Sequence, residues 1–132
     1  MIQVHSQAPA YCSLASSKTH QLSADAPVTK GGGGAGFGAH ELLEASLAVC
    51  INMTVRMHAD KAGITLHAVT TSVQLTRPDA ETSQFEYELE LSGDLSPTDR
   101  EALEAAAENC PVRQTLSKCL VFARAEGERR QV

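Results

Sequence analysis

The chain has 132 residues with a formal net charge of −5, and hydrophobic residues make up 42% of it. This length and composition predict one folded domain, residues 1–132, and exclude general disorder. The acidic balance, without a basic stripe, excludes a nucleic-acid-binding protein, and no run of 18 apolar residues predicts a membrane span.

The first residues lack the basic and apolar segments of a signal peptide. We therefore expect a cytoplasmic protein, in which thiols stay reduced unless they serve in redox chemistry. Aromatic residues are only 4% of the chain and Trp is absent, so Ala, Leu and Val must form most of the core. Such small side chains bury less area per residue, which leaves room for an oligomer interface.

Short strands and a glycine loop are predicted before the first helix. Residues 1–30 scatter apolar side chains among polar ones, which indicates short edge strands in a meander. Residues 31–38 read GGGGAGFG and predict a flexible loop. Gly31, Gly33 and Gly36 have the GxGxxG spacing of dinucleotide-binding loops, but no convincing strand precedes them and the downstream pattern is antiparallel. Nucleotide binding is therefore disfavoured.

A long helix is predicted from about His40 to Ala62, and Gly63 is a typical residue just after a helix. Its apolar positions recur every three or four residues, and a second row beside them widens the stripe. The first row contains Leu43, Leu47, Cys50, Thr54 and Met57, and the second contains Leu42, Ala45, Val49 and Met53. We therefore expect a deeply buried central helix that carries Cys50.

Two strands follow and are predicted to form an antiparallel hairpin. Apolar and polar residues alternate over 69–75 and again over 85–91, where Phe, Tyr and Leu alternate with Glu. The intervening residues 77–83 contain the turn signal Arg-Pro-Asp. Each strand should turn one face to the core and the other to water.

The remaining chain predicts two helices and a strand. Ser96 is a suitable N-cap, Pro97 suits the first helical position, and this helix should end near Glu108. Cys110 and Pro111 begin a second, short helix that runs to about Ser117. Residues 119–125 predict a last strand, and a charged, frayed tail starts at 126. This order of elements is typical of an α+β fold.

The four cysteines include no CxxC pair, and the five histidines are dispersed without metal-site spacing. We therefore expect no metal. Cys50 has an ordinary structural interpretation as a buried core residue. Cys110 is predicted at a helix N-terminus, where unpaired N–H groups favour the thiolate. Together they suggest a peroxidatic and resolving pair, whereas Cys12 and Cys119 are interpreted as structural.

The run from Gly38 to Thr54, GAHELLEASLAVCINMT, resembles the OsmC/Ohr family, whose members follow a glycine loop with a Glu-Leu-Leu helix start, small residues and Cys. Further blocks match at 59–63 (ADKAG), 92–95 (SGDL) and 108–117 (ENCPVRQTLS). They occur in the family's order and cover about residues 31–118.

The resemblance implies an α+β fold with two small antiparallel sheets around the long helix, in an intertwined homodimer whose two active sites lie at the interface. It also implies that Cys50 is the peroxidatic cysteine and Cys110 the resolving one. Family members reduce organic hydroperoxides without metal or flavin, and some are recycled by a dithiol reductant. The implied activity is that of a thiol-dependent peroxidase.

The sequence departs from the hydroperoxide-reductase branch in the charges around the thiol. That branch has a glutamate one position before Glu41, where this chain has His40, and an arginine in an early strand, whereas no Arg precedes Arg56 here. We expect Glu41 to shape the catalytic electrostatics, with His40 and Arg113 as substrate-binding candidates. Lys30 is a further candidate cation.

Two hypotheses follow. The first is an enzyme that reduces organic hydroperoxides through an intramolecular Cys50–Cys110 disulfide. The second is a non-enzymatic small-molecule-binding or redox-sensing protein with weak or no turnover, which the missing arginine favours. A purely structural role of the thiols is the third interpretation.

Overall fold

The computed structural model describes residues 1–125, and the tail predicted from 126 lies outside these residues. The elements are β1 (Gln3–Ser6), β2 (Ser13–Ser16), β3 (Gln21–Ala24), a 3-10 turn (Val28–Lys30), α1 (Ala39–Ala62), β4 (Leu66–Thr76), β5 (Gln84–Gly93), α2 (Pro97–Ala107) and α3 (Pro111–Leu116). The α+β class and the two small antiparallel sheets around a long helix are confirmed. No helix within residues 1–125 is long and apolar enough to cross a membrane.

The N-terminal sheet is an antiparallel meander in the order β1-β2-β3, as the scattered apolar pattern predicted. Val4 pairs with Ala15, and Ala15 pairs with Leu22. Every residue of β1 and most of β3 are exposed. Little of this sheet is therefore buried by its own chain.

Helix α1 begins and ends as its sequence predicts. The Glu41 carboxylate accepts a hydrogen bond from the N–H of Gly38, the N-cap residue, at 2.6 Å. At the other end Gly63 has φ +66°, the left-handed conformation that favours glycine. Between them, residues four apart form a buried stripe, namely Leu47, Ile51, Val55 and Ala59.

The expectation that α1 is buried on all its apolar sides is wrong for a single chain. Val49, Met53 and Met57 are 51%, 55% and 59% exposed, and Leu43 is 42% exposed. The hairpin and the two later helices cover only the Leu47–Ala59 side, and among residues 1–125 nothing covers the opposite side. The wide apolar stripe therefore corresponds to two faces of α1. One packs on the core, and the other has no partner among residues 1–125.

The hairpin β4–β5 packs on α1 and supplies the second sheet. Val73 pairs with Tyr87 and Val69 with Leu91, so these apolar side chains share the face turned to the core. The glutamates of β5 are exposed on the other face. Glu44 of α1 accepts a hydrogen bond from the N–H of Leu75 at 2.7 Å, which attaches the end of β4 to the first half of α1.

Helices α2 and α3 close the core beside α1. Ser96 caps α2, because its hydroxyl accepts from the N–H of Asp99 while the Asp99 carboxylate accepts from the N–H of Ser96. Leu103 and Ala107 of α2 are buried in the cluster with Ile51. The next buried residue is Cys110, which is the N-cap of α3.

The strand predicted over 119–125 is not formed. Leu120, Val121 and Phe122 have no regular structure and are 51%, 82% and 93% exposed. A strand needs a neighbouring strand for its hydrogen bonds, and within residues 1–125 this segment pairs with neither of the two open sheets. The apolar residues of this segment suit a strand, but a local sequence does not supply the partner strand.

Candidate thiol site

Cys50 lies in the middle of α1, one position before Ile51 on the buried stripe, and it is half-buried. Its sulfur accepts a hydrogen bond from the backbone N–H of Val112 at 3.5 Å. One turn later the Thr54 hydroxyl donates to the Cys50 carbonyl at 2.7 Å. The helix therefore holds the cysteine backbone while the start of α3 contacts its thiol.

Cys110 is fully buried at the N-cap of α3, with 0% of its surface exposed. Its sulfur accepts from the backbone N–H of Arg113 at 3.4 Å. Consecutive N–H groups of α3, those of Val112 and Arg113, thus point to the two different sulfurs. The structure brings Cys50 and Cys110 together at one helix start although 60 positions separate them, and both are free thiols.

The helix N-terminus does not give Cys110 the low pKa expected from sequence. Burial raises the pKa of the Cys110 thiol; the Arg113 N–H lowers it in part, and the Cys50 thiol beside it adds a further rise. Desolvation penalises the thiolate more than two N–H groups favour it. The expectation of a thiolate at Cys110 is therefore wrong, and this thiol is protonated at neutral pH.

The surroundings of the pair are apolar. The buried cluster joins Leu47 and Ile51 of α1 to Leu103 of α2, with Phe85 and Tyr87 of β5 packed against it. A cavity of about 370 Å³ opens beside this cluster, lined on one side by α1 and β5 and on the other by α3. Its lining includes Leu47, Ile51, Phe85, Tyr87, Arg113 and Leu116.

Arg113 contributes its backbone rather than its guanidinium to the thiols. The guanidinium contacts Glu108 twice, at the carboxylate and at the carbonyl oxygen, each at 3.3 Å. Both side chains are largely exposed, so this ion pair stabilises the fold little. Arg113 also lines the cavity of about 370 Å³, whose lining includes neither Cys50 nor Cys110.

Glu41 is not near Cys50 within one chain. It caps the start of α1, nine positions before Cys50, which is about 14 Å along a helix. His40 lies beside it, and its Nε2 accepts a hydrogen bond from the guanidinium of Arg77 at 2.9 Å. The structure thus joins His40 to an arginine that sequence reasoning treated only as part of a turn, and it leaves both Glu41 and His40 outside the thiol site of their own chain.

Asp25 is a buried carboxylate that sequence reasoning missed. It is 5% exposed and accepts from the N–H groups of Gly33 and Ala35 at 3.0 Å and of Ala26 at 2.8 Å. These bonds, led by that of Ala35, lower the pKa of the Asp25 carboxyl, and the Cys12 thiol lowers it further. The N–H groups of the glycine loop thus bind a carboxylate of their own chain, which gives the loop a structural role in place of the disfavoured nucleotide site.

The glycines of this loop are required by close contact. A Cβ at Gly32 would lie 1.9 Å from the carbonyl oxygen of Ala26, and one at Gly36 would lie 2.5 Å from that of Ser23. The chain therefore folds back against β3 at a distance that only glycine permits. An isolated acidic residue shortly before a glycine run was the signal in the sequence.

Comparison with known proteins identifies the fold. The family model described as OsmC-like protein matches residues 31–123, which confirms the resemblance seen over about 31–118. No curated protein is significantly similar in sequence to this chain.

Solved structures agree in fold at low identity. A Psychrobacter arcticus 273-4 protein, whose description names osmotic stress induction and detoxification response, has a TM-score of 0.74 at 22% identity, covering 86% of this chain and 85% of that one. An OsmC-like protein from Mycoplasma pneumoniae has 0.73 at 22%, covering 88% and 85%. An organic hydroperoxide resistance protein OsmC from Legionella pneumophila has 0.64 at 23%, covering 89% and 88%. The chain therefore belongs to the OsmC-like family, some of whose structural relatives are named organic hydroperoxide resistance proteins.

Proposed function

We propose that this protein is a cysteine-based peroxidase that reduces organic hydroperoxides, with Cys50 as the peroxidatic cysteine and Cys110 as the resolving one. The observation that carries the proposal is the meeting of two free thiols at the start of α3, each sulfur accepting a backbone N–H. Such a pair has the parts needed for a sulfenic acid to be trapped as a disulfide.

The proposed reaction has two steps on the protein. The Cys50 thiolate attacks the terminal oxygen of the hydroperoxide, the O–O bond breaks, and the alcohol leaves after taking up a proton. The Cys110 sulfur then attacks the resulting sulfenic acid, an S–S bond forms, and water leaves. A dithiol reductant returns the two electrons. Cys50 takes the first role because it is half-buried and accessible, whereas Cys110 is enclosed.

A cavity lined by Ile51, the residue after Cys50, and by Arg113 of α3 supports an apolar substrate. Its walls are mostly Leu, Ile, Phe and Tyr side chains, and its volume of about 370 Å³ is within the range for small-molecule pockets. Arg113 is the charged group in its lining. An alkyl or aryl hydroperoxide would bury its hydrocarbon group against these walls. The binding free energy from this apolar burial is not available to hydrogen peroxide.

The proposal includes a homodimer. The exposed face of α1 adjoins Cys50 on the helix surface, since Val49 and Met53 lie within one turn of it. The exposed Leu120, Val121 and Phe122 and the weakly covered N-terminal sheet are further apolar surfaces that a second copy would bury. Glu41 and His40 lie away from the thiol site of their own chain, so in the proposed homodimer they would act on the thiol site of the partner chain. The proposed location is the cytoplasm, where the thiols start reduced.

Turnover of cumene hydroperoxide with dihydrolipoamide as reductant tests the function. We expect activity in the wild type, loss in Cys50→Ser, and a single turnover in Cys110→Ser. Cys119→Ser is the matched control, because Cys119 is an exposed free cysteine that is given no role in the proposed reaction. No activity in the wild type, or full activity of Cys50→Ser, contradicts the proposal.

A second function, a small-molecule-binding or redox-sensing protein with little turnover, is favoured by one observation. Among residues 1–125 no guanidinium or ammonium hydrogen-bonds to either sulfur, so the charge that activates a peroxidatic thiolate is missing from a single chain. Thiol titration discriminates the two functions. A Cys50 pKa near ~8.5, the free value, favours the binding protein, and a thiolate at neutral pH favours the peroxidase.

A further inference from the structure

The two sulfurs of the pair differ in how far a second molecule can reach them. Cys110 is 0% exposed and belongs to the core cluster with Leu103 and Ala107, whereas Cys50 is half-buried and packs against that cluster from outside. The burial of Cys110 in a single chain is the least that it can have in an assembly, because contact with another chain only reduces the exposed surface. Cys110 is therefore enclosed in every assembly that keeps this fold.

Reduction of a disulfide requires access to one particular sulfur. The incoming thiolate bonds to one sulfur and expels the other, through a mixed disulfide. Attack on Cys110 would need an opening between α1 and α2, where Ile51 and Leu103 are 0% exposed. Attack on Cys50 needs no such opening of the core.

We infer that the reductant bonds to Cys50 and that Cys110 is the leaving group. The reductant thiolate forms a bond to Cys50 Sγ, the Cys50–Cys110 bond breaks, and its electron pair leaves on Cys110, which then takes up a proton from water. A dithiol completes the cycle when its second thiolate attacks its own sulfur in the mixed disulfide, which closes a ring disulfide and releases Cys50 as a thiolate. The inference rests on the proposed function in taking the Cys50–Cys110 disulfide as the oxidised form.

The surroundings of Cys110 act on this step in two opposite ways. The backbone N–H of Arg113, 3.4 Å from the sulfur, stabilises the charge as it develops. Burial raises the pKa of Cys110, which makes it a slower leaving group than an ordinary thiol, so access to Cys50 and not leaving-group quality carries the inference. Once released, the Cys110 thiol is protonated at neutral pH. A protonated thiol is a poor nucleophile, and re-attack on the mixed disulfide is slowed while the second thiol of the reductant acts.

Thiol reactivity tests the accessibility on which the inference depends. In a Cys12→Ser, Cys119→Ser background, adding Cys110→Ser leaves Cys50 alone, and adding Cys50→Ser leaves Cys110 alone. We expect Cys50 to react with Ellman's reagent at least about 100-fold faster than Cys110 in the folded proteins, because a buried core group reacts only through rare openings. In denaturant the two rates should converge. Equal rates in the folded state overturn the inference, and Cys50→Ala replaces Cys50→Ser if circular dichroism shows the serine variant unfolded.

Mapping the mixed disulfide tests the site of attack directly. The background protein is oxidised with diamide, treated briefly with cysteamine, quenched with acid, alkylated and digested for mass spectrometry. We expect cysteamine on Cys50 and the alkyl group on Cys110, and the reverse pattern overturns the inference. Because diamide makes the disulfide, a lack of peroxidase activity does not affect this test. Failure of diamide to join Cys50 to Cys110 contradicts the proposed function instead.

Discussion

The backbone N–H of Val112 donates a hydrogen bond to the sulfur of Cys50 at 3.5 Å, across 62 positions of sequence. This contact joins the middle of α1 to the first turn of α3, and the next N–H, that of Arg113, serves Cys110. The two thiols are therefore held by one short stretch of backbone. Movement of α3 relative to α1 would separate them.

The first prediction concerns the oxidised product. One equivalent of cumene hydroperoxide should convert the protein into a form two hydrogen atoms lighter, with Cys50 joined to Cys110, because the structure brings these thiols together as free groups. Peptide mapping by mass spectrometry identifies the bond. Cys119→Ser should give the same product. A stable sulfenic acid on Cys50, or a bond that involves Cys12 or Cys119, would show that the pair does not act as proposed.

The second prediction concerns pH. Because burial raises the pKa of Cys110, its thiolate fraction at neutral pH is small, and below the pKa it grows about tenfold for each pH unit. Disulfide formation from the Cys50 sulfenic acid should therefore accelerate between pH 7 and 9. Quenched-flow mass spectrometry measures this step apart from the peroxide reaction. A rate that does not change with pH would mean that Cys110 attacks as the thiol or is not the resolving group.

The third prediction concerns Asp25. Replacing Asp25 by Asn removes the charge that three backbone N–H groups bind and replaces one accepting oxygen by an NH₂ group, so we expect a lower free energy of unfolding. Urea unfolding measures it. Asp94→Asn is the matched control, because Asp94 is exposed.

The same variant has a defined pH dependence. The pKa of Asp25 is lowered in the folded protein, so its contribution is fully present above the unfolded value of about 3.9 and is lost as the pH falls through the folded pKa. The difference in stability between wild type and Asp25→Asn should stay constant from pH 7 to 5 and shrink in strong acid. A difference that grows on acidification would refute this role of the carboxylate.

The fourth prediction concerns association. Met53→Glu places a charge on the exposed face of α1, where the wild-type side chain is 55% exposed in the single chain. If this face is the proposed dimer interface, burying the charge should weaken association at least about 100-fold, since the charge replaces an apolar contact in each of two copies. Sedimentation velocity measures the change. Glu88→Lys, on the exposed face of β5, is the control. A monomeric wild type at micromolar concentration would contradict the proposed assembly.

Much of the fold could be predicted from local patterns. The caps at Ser96 and Gly63 mark a helix start and a helix end that the structure confirms, because capping depends on residues within a few positions. The alternation over 69–75 and 85–91 predicted the hairpin, since side chains of a strand point to opposite faces in turn. The strand at 119–125 failed because pairing needs a neighbour that is not set by the segment itself.

The candidate site divides in the same way. The sequence blocks around Cys50 and Cys110 selected these two thiols as the candidate site, and local patterns placed each on its helix. Only the tertiary structure decided that they meet, that burial outweighs the helix N-terminus at Cys110, and that Glu41 caps its own helix rather than facing Cys50. The physical reason is that helix and strand patterns arise from near neighbours, whereas desolvation and the distance between two sulfurs depend on the packing of segments 60 residues apart.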